Sequence, residues 1–340
     1  MVVAALGLAT AGGLIPPSAA QATSSAWYQV YQANAVGSFS QTAAISSTNI
    51  WSVADVSAGG KEIYRPFIRH FVGSSWQTVT IPDSSGSTSD WVTASSASNV
   101  WLGGVKDSPT QASVVYQWNG THWTKIPVPG SANLQDVTAL APNNVWAFSL
   151  GSDIADTIFH WNGSKWQYYL STSLNFVPEG LSASAPDNVW ASGYERSGSK
   201  QEVAAYRWNG TAWDPVSMPH PAYDNAGPVV TAISPSNVWI GWADNTASYA
   251  LHLNGSTWQT VTGSDGANTL NIVPDGDGGY WFGATAILTG STWTAEQVPP
   301  FTGGYGPVTQ IPGTTSSLLN AGVQASGSSN PEPTIFRFDL

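Results

Sequence analysis

The chain has 340 residues, 42% hydrophobic, 12% aromatic and only 9% charged, with 18 tryptophans and no cysteine. Its 21 acidic side chains outnumber 10 basic ones and no Lys/Arg cluster occurs, so the electrostatic footprint of a phosphate-backbone binder is missing and nucleic acid is not an expected partner. Without cysteine there are no disulfides, thiolate metal sites or cysteine nucleophiles, and so many indoles require a large core or a stacking surface.

In chain order, Val2 to Ile15 is an apolar stretch followed by Pro16-Pro17-Ser18-Ala19-Ala20-Gln21-Ala22. Ala20-Gln21-Ala22 is a small-x-small cleavage signal, so residues 1–22 read as a signal peptide and 23–340 as a secreted, extracellular domain. No Lys or Arg precedes the apolar run, as a start codon placed too far downstream would explain. The stretch is too short and too rich in glycine for a membrane anchor, which needs about 20 apolar residues, and no later segment could span a bilayer. Ala26-Trp27-Tyr28-Gln29-Val30 then reads as a strand with no partner beside it.

From there a repeat dominates. Asn49-Ile50-Trp51, Asn99-Val100-Trp101, Asn144-Val145-Trp146, Asn188-Val189-Trp190 and Asn237-Val238-Trp239 recur, with a weaker Gly279-Tyr280-Trp281. Each follows a short apolar stretch such as Val230-Thr231-Ala232-Ile233 and precedes a second motif, as in Trp118-Asn119-Gly120-Thr121-His122-Trp123. Degenerate copies of the second motif end at Trp76, Trp258 and Trp293. Each unit predicts four short strands, A to D from the inside outward. Strand A is the Val-Thr-Ala-Ile segment, B carries Asn-Val-Trp, C ends at the first Trp of the second motif, and D begins at its closing Trp. Asn-Gly between C and D suggests a type I′ hairpin, and Ser234-Pro235-Ser236 marks a tight A–B turn. Four-stranded units of roughly 40–50 residues, radially repeated, are propeller blades.

A seventh strand A appears at Val308-Thr309-Gln310-Ile311, with B around Leu318 to Val323 and C at Ile335-Phe336-Arg337-Phe338, but no strand D follows. The unpartnered strand at 26–31 supplies it. The fold expected is therefore all-β: one seven-bladed β-propeller, four antiparallel strands per blade, with the N-terminal strand closing the last blade and covering its open edge.

Sixteen tryptophans fall at repeat positions and read as packing between blades; Trp91 and Trp242 break the repeat. The A–B and C–D turns are short, whereas the B–C and D–A connections vary, so the variable loops share one face, where binding groups concentrate on such scaffolds. Both extra tryptophans, Tyr194, Tyr223 and most charges belong to that face. Aromatics beside carboxylates suit a sugar, whose C–H face stacks on a ring while its hydroxyls take oriented hydrogen bonds. The candidate ligand-binding residues are Trp91, Trp242, Tyr194, Tyr223, Asp136 and His220.

Other constellations read as structure. Asp275-Gly276-Asp277-Gly278 resembles the start of a calcium loop without its downstream Glu and reads as a turn. His70, His160 and His252 share one strand C register, which points to a structural role rather than a metal site. Strand A lines the channel mostly with Thr, Ala, Ser, Val, Leu and Ile, so no metal or other cofactor is implied. The Asn-Gly-Thr/Ser sequons read as hairpins. His220, Tyr223 and the carboxylates Asp136, Glu179 and Glu195 are the groups an enzyme acting on polysaccharide would use.

The pattern Ser-Pro-x-Asn-Val-Trp followed by Trp-Asn-Gly-Thr-x-Trp resembles the repeats of secreted actinobacterial propellers, from about Trp27 to Leu340. There is a partial likeness to the Asp-box repeats of sialidases, whose Gly and Trp match Gly120 and Trp123. Trp118, Trp161 or Trp208 replaces the Asp, and of the five arginines only Arg65 and Arg196 sit on variable loops, which departs from a sialidase's arginine triad. The reading is thus a monomeric secreted propeller binding a glycan or polysaccharide through the B–C and D–A loop face. A polysaccharide lyase or glycoside hydrolase and a cell-envelope protein scaffold are the alternatives.

Overall fold

The computed structural model describes residues 26–57, 64–82, 87–106, 112–130, 132–149, 157–170, 176–197, 200–222, 226–243, 248–263, 269–299, 305–324 and 330–340. The signal peptide expected at 1–22 lies outside them. Every internal stretch outside them belongs to a B–C or D–A connection.

Seven four-stranded antiparallel sheets follow one another, each ordered A-B-C-D. Blade three is representative: Leu134–Ala141, Asn144–Ser149, Thr157–Trp161 and Trp166–Leu170. Blade seven takes its strands A to C from Tyr305–Gln310, Ser316–Gln324 and Pro331–Asp339 and its strand D from the chain start, Tyr28–Gln32. Tyr28 pairs with Arg337 and Gln32 with Thr334. Trp27 anchors this strand: it is buried among Trp281 and Phe338, with ring centroids 5.1 and 5.3 Å away, and its indole N–H donates to the Ala284 carbonyl of blade six (3.1 Å). The Tyr28 hydroxyl donates to Asp339 (2.5 Å), whose carboxylate also accepts from Arg337 and Ser316.

The core consists of seven apolar wedges, one between each pair of neighbouring blades. The strand B tryptophan of one blade meets the strand D tryptophan of the next edge-on, as in Trp51–Trp123 at 88° and Trp146–Trp213 at 84°, the arrangement that ring quadrupoles favour.

The asparagine of Asn-Val-Trp is a buried hydrogen-bond hub. Asn99 Oδ1 accepts from the Trp101 indole (2.9 Å) and from Gln117 Nε2 (3.1 Å), while Asn99 Nδ2 donates to Ser95 Oγ (2.7 Å). Ser95 is the residue that the A–B register skips, so a bulge turns its hydroxyl toward the hub. In blades one, three and five His70, His160 and His252 take the place of Gln117: Nε2 donates to Asn49, Asn144 and Asn237 at 2.8–3.0 Å, and each ring stacks on its strand B tryptophan. Burial lowers all three imidazoles, His70 to about 4, so they are neutral at physiological pH.

The C–D hairpins depart from the type I′ expectation. Gly120, Gly163 and Gly210 have φ near +95°, but the asparagines before them do not. Trp118 pairs with Trp123 across a four-residue connection, in which Asn119 Oδ1 accepts from the amides of Thr121 and His122 (3.0 Å each). The asparagine is there for its side chain, as an Asx turn, and the glycine for its backbone.

Strand A has one edge on strand B and the other on the channel, where each blade reaches the next. A strand A side chain bonds the strand A backbone of the following blade at all seven junctions. Gln41 Oε1 accepts from Val92 N (3.0 Å), Thr93 Oγ1 from Ala139 N (3.3 Å), Asp136 Oδ2 from Leu181 N (2.7 Å), Ser182 Oγ from Ala232 N (3.0 Å) and Asn271 Oδ1 from Val308 N (2.7 Å). Thr231 and Thr309 instead donate to the carbonyls of Ile272 (2.7 Å) and Thr42 (3.3 Å).

Because Trp27 carries the packing of the closing strand, Trp27→Ala is expected to cost about 3–5 kcal/mol, read as a shift of the urea unfolding midpoint. A midpoint unchanged from wild type would show that the ring does not depend on this strand.

Candidate functional site

The structure describes five of the six sequence-derived residues. Trp91 is 5% exposed and lies in the wedge between blades two and three, its indole donating to the Leu134 carbonyl (3.3 Å). Gly103 is small because of it: a Cβ there would stand 2.1 Å from the Trp91 ring. Trp242, also 5% exposed, lies in the wedge between blades four and five and stacks on Tyr249 at 5.6 Å and 22°. Breaking the repeat is here a local packing solution, and neither indole offers an open stacking face. Tyr194 is buried under Arg196, which donates to its hydroxyl (3.0 Å). His220 is exposed, with Nδ1 on the Val203 carbonyl (3.2 Å). Tyr223 lies outside the described residues.

Asp136 is part of the channel wall rather than of the loop face, holding the junction of blades three and four. Its φ is +33°, the one non-glycine value in the left-handed region among the described residues, and burial pushes its carboxyl up to about 6 against the stabilising Leu181 amide. Glu195 accepts from the Tyr206 hydroxyl (2.8 Å), which burial and that carboxylate push up to about 12. His220, Glu195 and Asp136 thus have three separate sets of partners. Asp275 accepts from the amides of Asp277 and Gly279 (2.8 and 2.9 Å), as a turn residue does.

Two clefts open on the opposite face, that of the short hairpins, and the repeat explains where. At or next to its last residue, strand C carries an aromatic in five blades: Phe71, Trp118, Trp161, Trp208 and Phe338. In blades five and six the equivalent residues are Leu253 and Leu288, set by register opposite Trp258 and Trp293. Each leucine lines a cleft where the other blades carry an indole or a phenyl ring. The sequence signal was the loss of a large residue from the second motif.

The cleft between blades four and five measures about 440 Å³ and is lined by Trp190, Arg207, Asp214, Val216, Leu253 and Trp258, with Asp187 and Asn209 at its polar side. Trp258 is partly exposed and fixed by its indole N–H on the Ser217 carbonyl (3.1 Å). Arg207 occupies the register of Gln117 and the three histidines, yet its Nε is buried without an acceptor. Asn188 Oδ1 accepts from Trp190 (3.0 Å), and Asp214, opposite Arg207 on strand D, accepts from Asn209 (2.6 Å). A guanidinium donor, carboxylate acceptors and an indole wall therefore converge in one cleft.

The cleft between blades five and six measures about 480 Å³. Asn237, Trp239, His252, Gln259, Tyr280 and Leu288 line it. His252 stacks on Trp239 at 3.8 Å, and Asn237 Nδ2 donates to the Tyr280 hydroxyl (2.8 Å).

No protein-family model matches the chain, and no curated protein matches it. Among solved structures, YCF48 bound to D1 peptide is similar over 98% of this chain and 98% of its own, at 14% identity and a TM-score of 0.61. The SapL1 lectin in complex with α-methyl fucoside is similar over 79% of this chain and 98% of its own, at 12% identity and a TM-score of 0.50. These likenesses are of fold: the chain is a seven-bladed β-propeller whose structural neighbours include a lectin.

The raised pKa of Asp136 fixes a sign. Its folded value of about 6 lies above the ordinary aspartate value of 3.8, so its protonated form contributes stability that is full below pH 3.8 and is lost as pH rises through 6. Asp136→Asn, which keeps an acceptor and tolerates positive φ, should match wild type near pH 4 and exceed it by on the order of 3 kcal/mol at pH 8. Denaturation midpoints across that range measure this; a constant difference would show that the carboxyl is not perturbed.

Proposed function

We propose that this chain is a non-catalytic glycan-binding propeller and that its sugar site is the cleft between blades four and five. The observation that carries this is the replacement of the strand C aromatic by Leu253, which leaves Trp258 beside Arg207 and Asp214. A pyranose needs an apolar wall for its C–H face and both donors and acceptors for its hydroxyls. A volume of about 440 Å³ suits one or two sugar units. The likeness to a lectin crystallised with a fucoside supports the reading. The sequence-derived site on the variable-loop face gives way in this proposal, since Trp91, Trp242 and Tyr194 are buried there. The apolar stretch Val2 to Ile15 and the Ala20-Gln21-Ala22 signal support action outside the cell.

A peptide occupant is the second reading, favoured by the likeness along nearly the whole chain to a propeller bound to a peptide.

The test is a glycan array with wild type, Arg207→Ala and Leu253→Trp, the last restoring the side chain that blades two to four carry. Wild type should be retained on one sugar class. Both substitutions should weaken binding at least tenfold while the melting temperature of Leu253→Trp stays within a few degrees. A blank array on folded protein, or retention that ignores both substitutions, would overturn the assignment.

A further inference from the structure

The cleft between blades five and six has the same origin as its neighbour and a different chemistry. Leu288 opens it as Leu253 opens the first. Among the described residues, no Asp, Glu, Lys or Arg lines it. Its polar side chains are the amides of Asn237, Asn254 and Gln259, the hydroxyls of Ser236 and Tyr280 and the His252 ring. A charged occupant would lose its hydration without gaining a counter-charge, whereas an uncharged polyol meets donors and acceptors of its own kind.

One of those donors lacks a partner. In blades two, three and four the strand B indole N–H is bonded to its own asparagine. In blade five His252 donates to that oxygen and the buried Trp239 Nε1 has no acceptor, as Trp51 Nε1 has none in blade one. Trp239 lines the cleft. Glycines at its rim, Gly255, Gly278 and Gly290, have nothing within 4 Å of a notional Cβ, so the entrance is open at three turns.

We propose that this cleft is a second sugar subsite, distinct from the first, and that it takes an uncharged pyranose unit. The proposal rests on the glycan-binding reading and extends it. Both clefts face the same side and flank blade five, so successive units of one glycan can occupy them together. Binding then gains from effective concentration without any new contact.

The experiment follows the indole resonances of ¹⁵N-labelled protein, with Trp239 and Trp258 assigned by single Trp→Phe replacement. The probes are methyl α-fucoside, methyl α-mannoside, methyl β-galactoside and, as the charged control, methyl β-glucuronide. An uncharged glycoside should shift the Trp239 resonance in wild type and in Leu253→Trp, and the glucuronide should not. Leu288→Trp should abolish that shift, and Gln259→Ala, on the exposed rim, should weaken it at least fivefold even if Leu288→Trp folds poorly. Shifts confined to Trp258, or a Trp239 response indifferent to both changes, would overturn the second subsite while leaving the first intact. If no probe moves either indole, the glycan-binding reading itself fails, and this inference with it.

Discussion

A propeller depends on what happens at the inner edge of its blades. Strand A is the first strand of each sheet, and only one of its edges is laddered; the other would present bare amides and carbonyls to the channel. Seven side chains, one per junction, meet that need by bonding the neighbouring strand A backbone in a constant direction around the ring. The outer wedges of indoles add apolar burial. The inner bonds set the angular register in which those wedges can fit. Asp136 shows how strong the requirement is, since a carboxyl is retained there in spite of burial and a left-handed backbone.

The same view explains the motifs. Asn-Val-Trp is an instruction for joining strands: the asparagine ties a bulged strand A residue to strands B and C, and the tryptophan two residues on lies over the next blade. Histidine, glutamine and arginine exchange at the facing strand C register because the hub needs a donor. Arg207 has the donor but not the bond, which makes it the member of that register free to serve another acceptor.

The architecture was legible because it is repeated. Asn-Val-Trp and the closing tryptophan fix strand order, and the missing strand D of blade seven matches the unpaired strand at Trp27. The junction bonds were not legible, because they use two positions of strand A, one at Gln41, Asp136 and Asn271 and another two residues along at Thr93, Ser182, Thr231 and Thr309. These share a face of the strand, but the residue type differs between the two positions, amide or carboxylate at one and hydroxyl at the other. Looking for residues added to the repeat led to Trp91 and Trp242, which fill space beside small neighbours such as Gly103. The clefts come from residues taken away, at Leu253 and Leu288, and a leucine in a β-strand carries no signal of its own.

The pairing of Tyr28–Gln32 with Pro331–Asp339 also sets a schedule. Tyr28 and Asp339 are 311 positions apart, so the strand Tyr28–Gln32 has no partner until Pro331–Asp339 is made. Blades one to six can form in turn from local hairpins, which are fast. The ring as a whole can close only after Pro331–Asp339 has been made. Until then blade seven lacks its outer strand and the opening strand is an unpaired edge, the kind of segment on which chaperones act and aggregation begins.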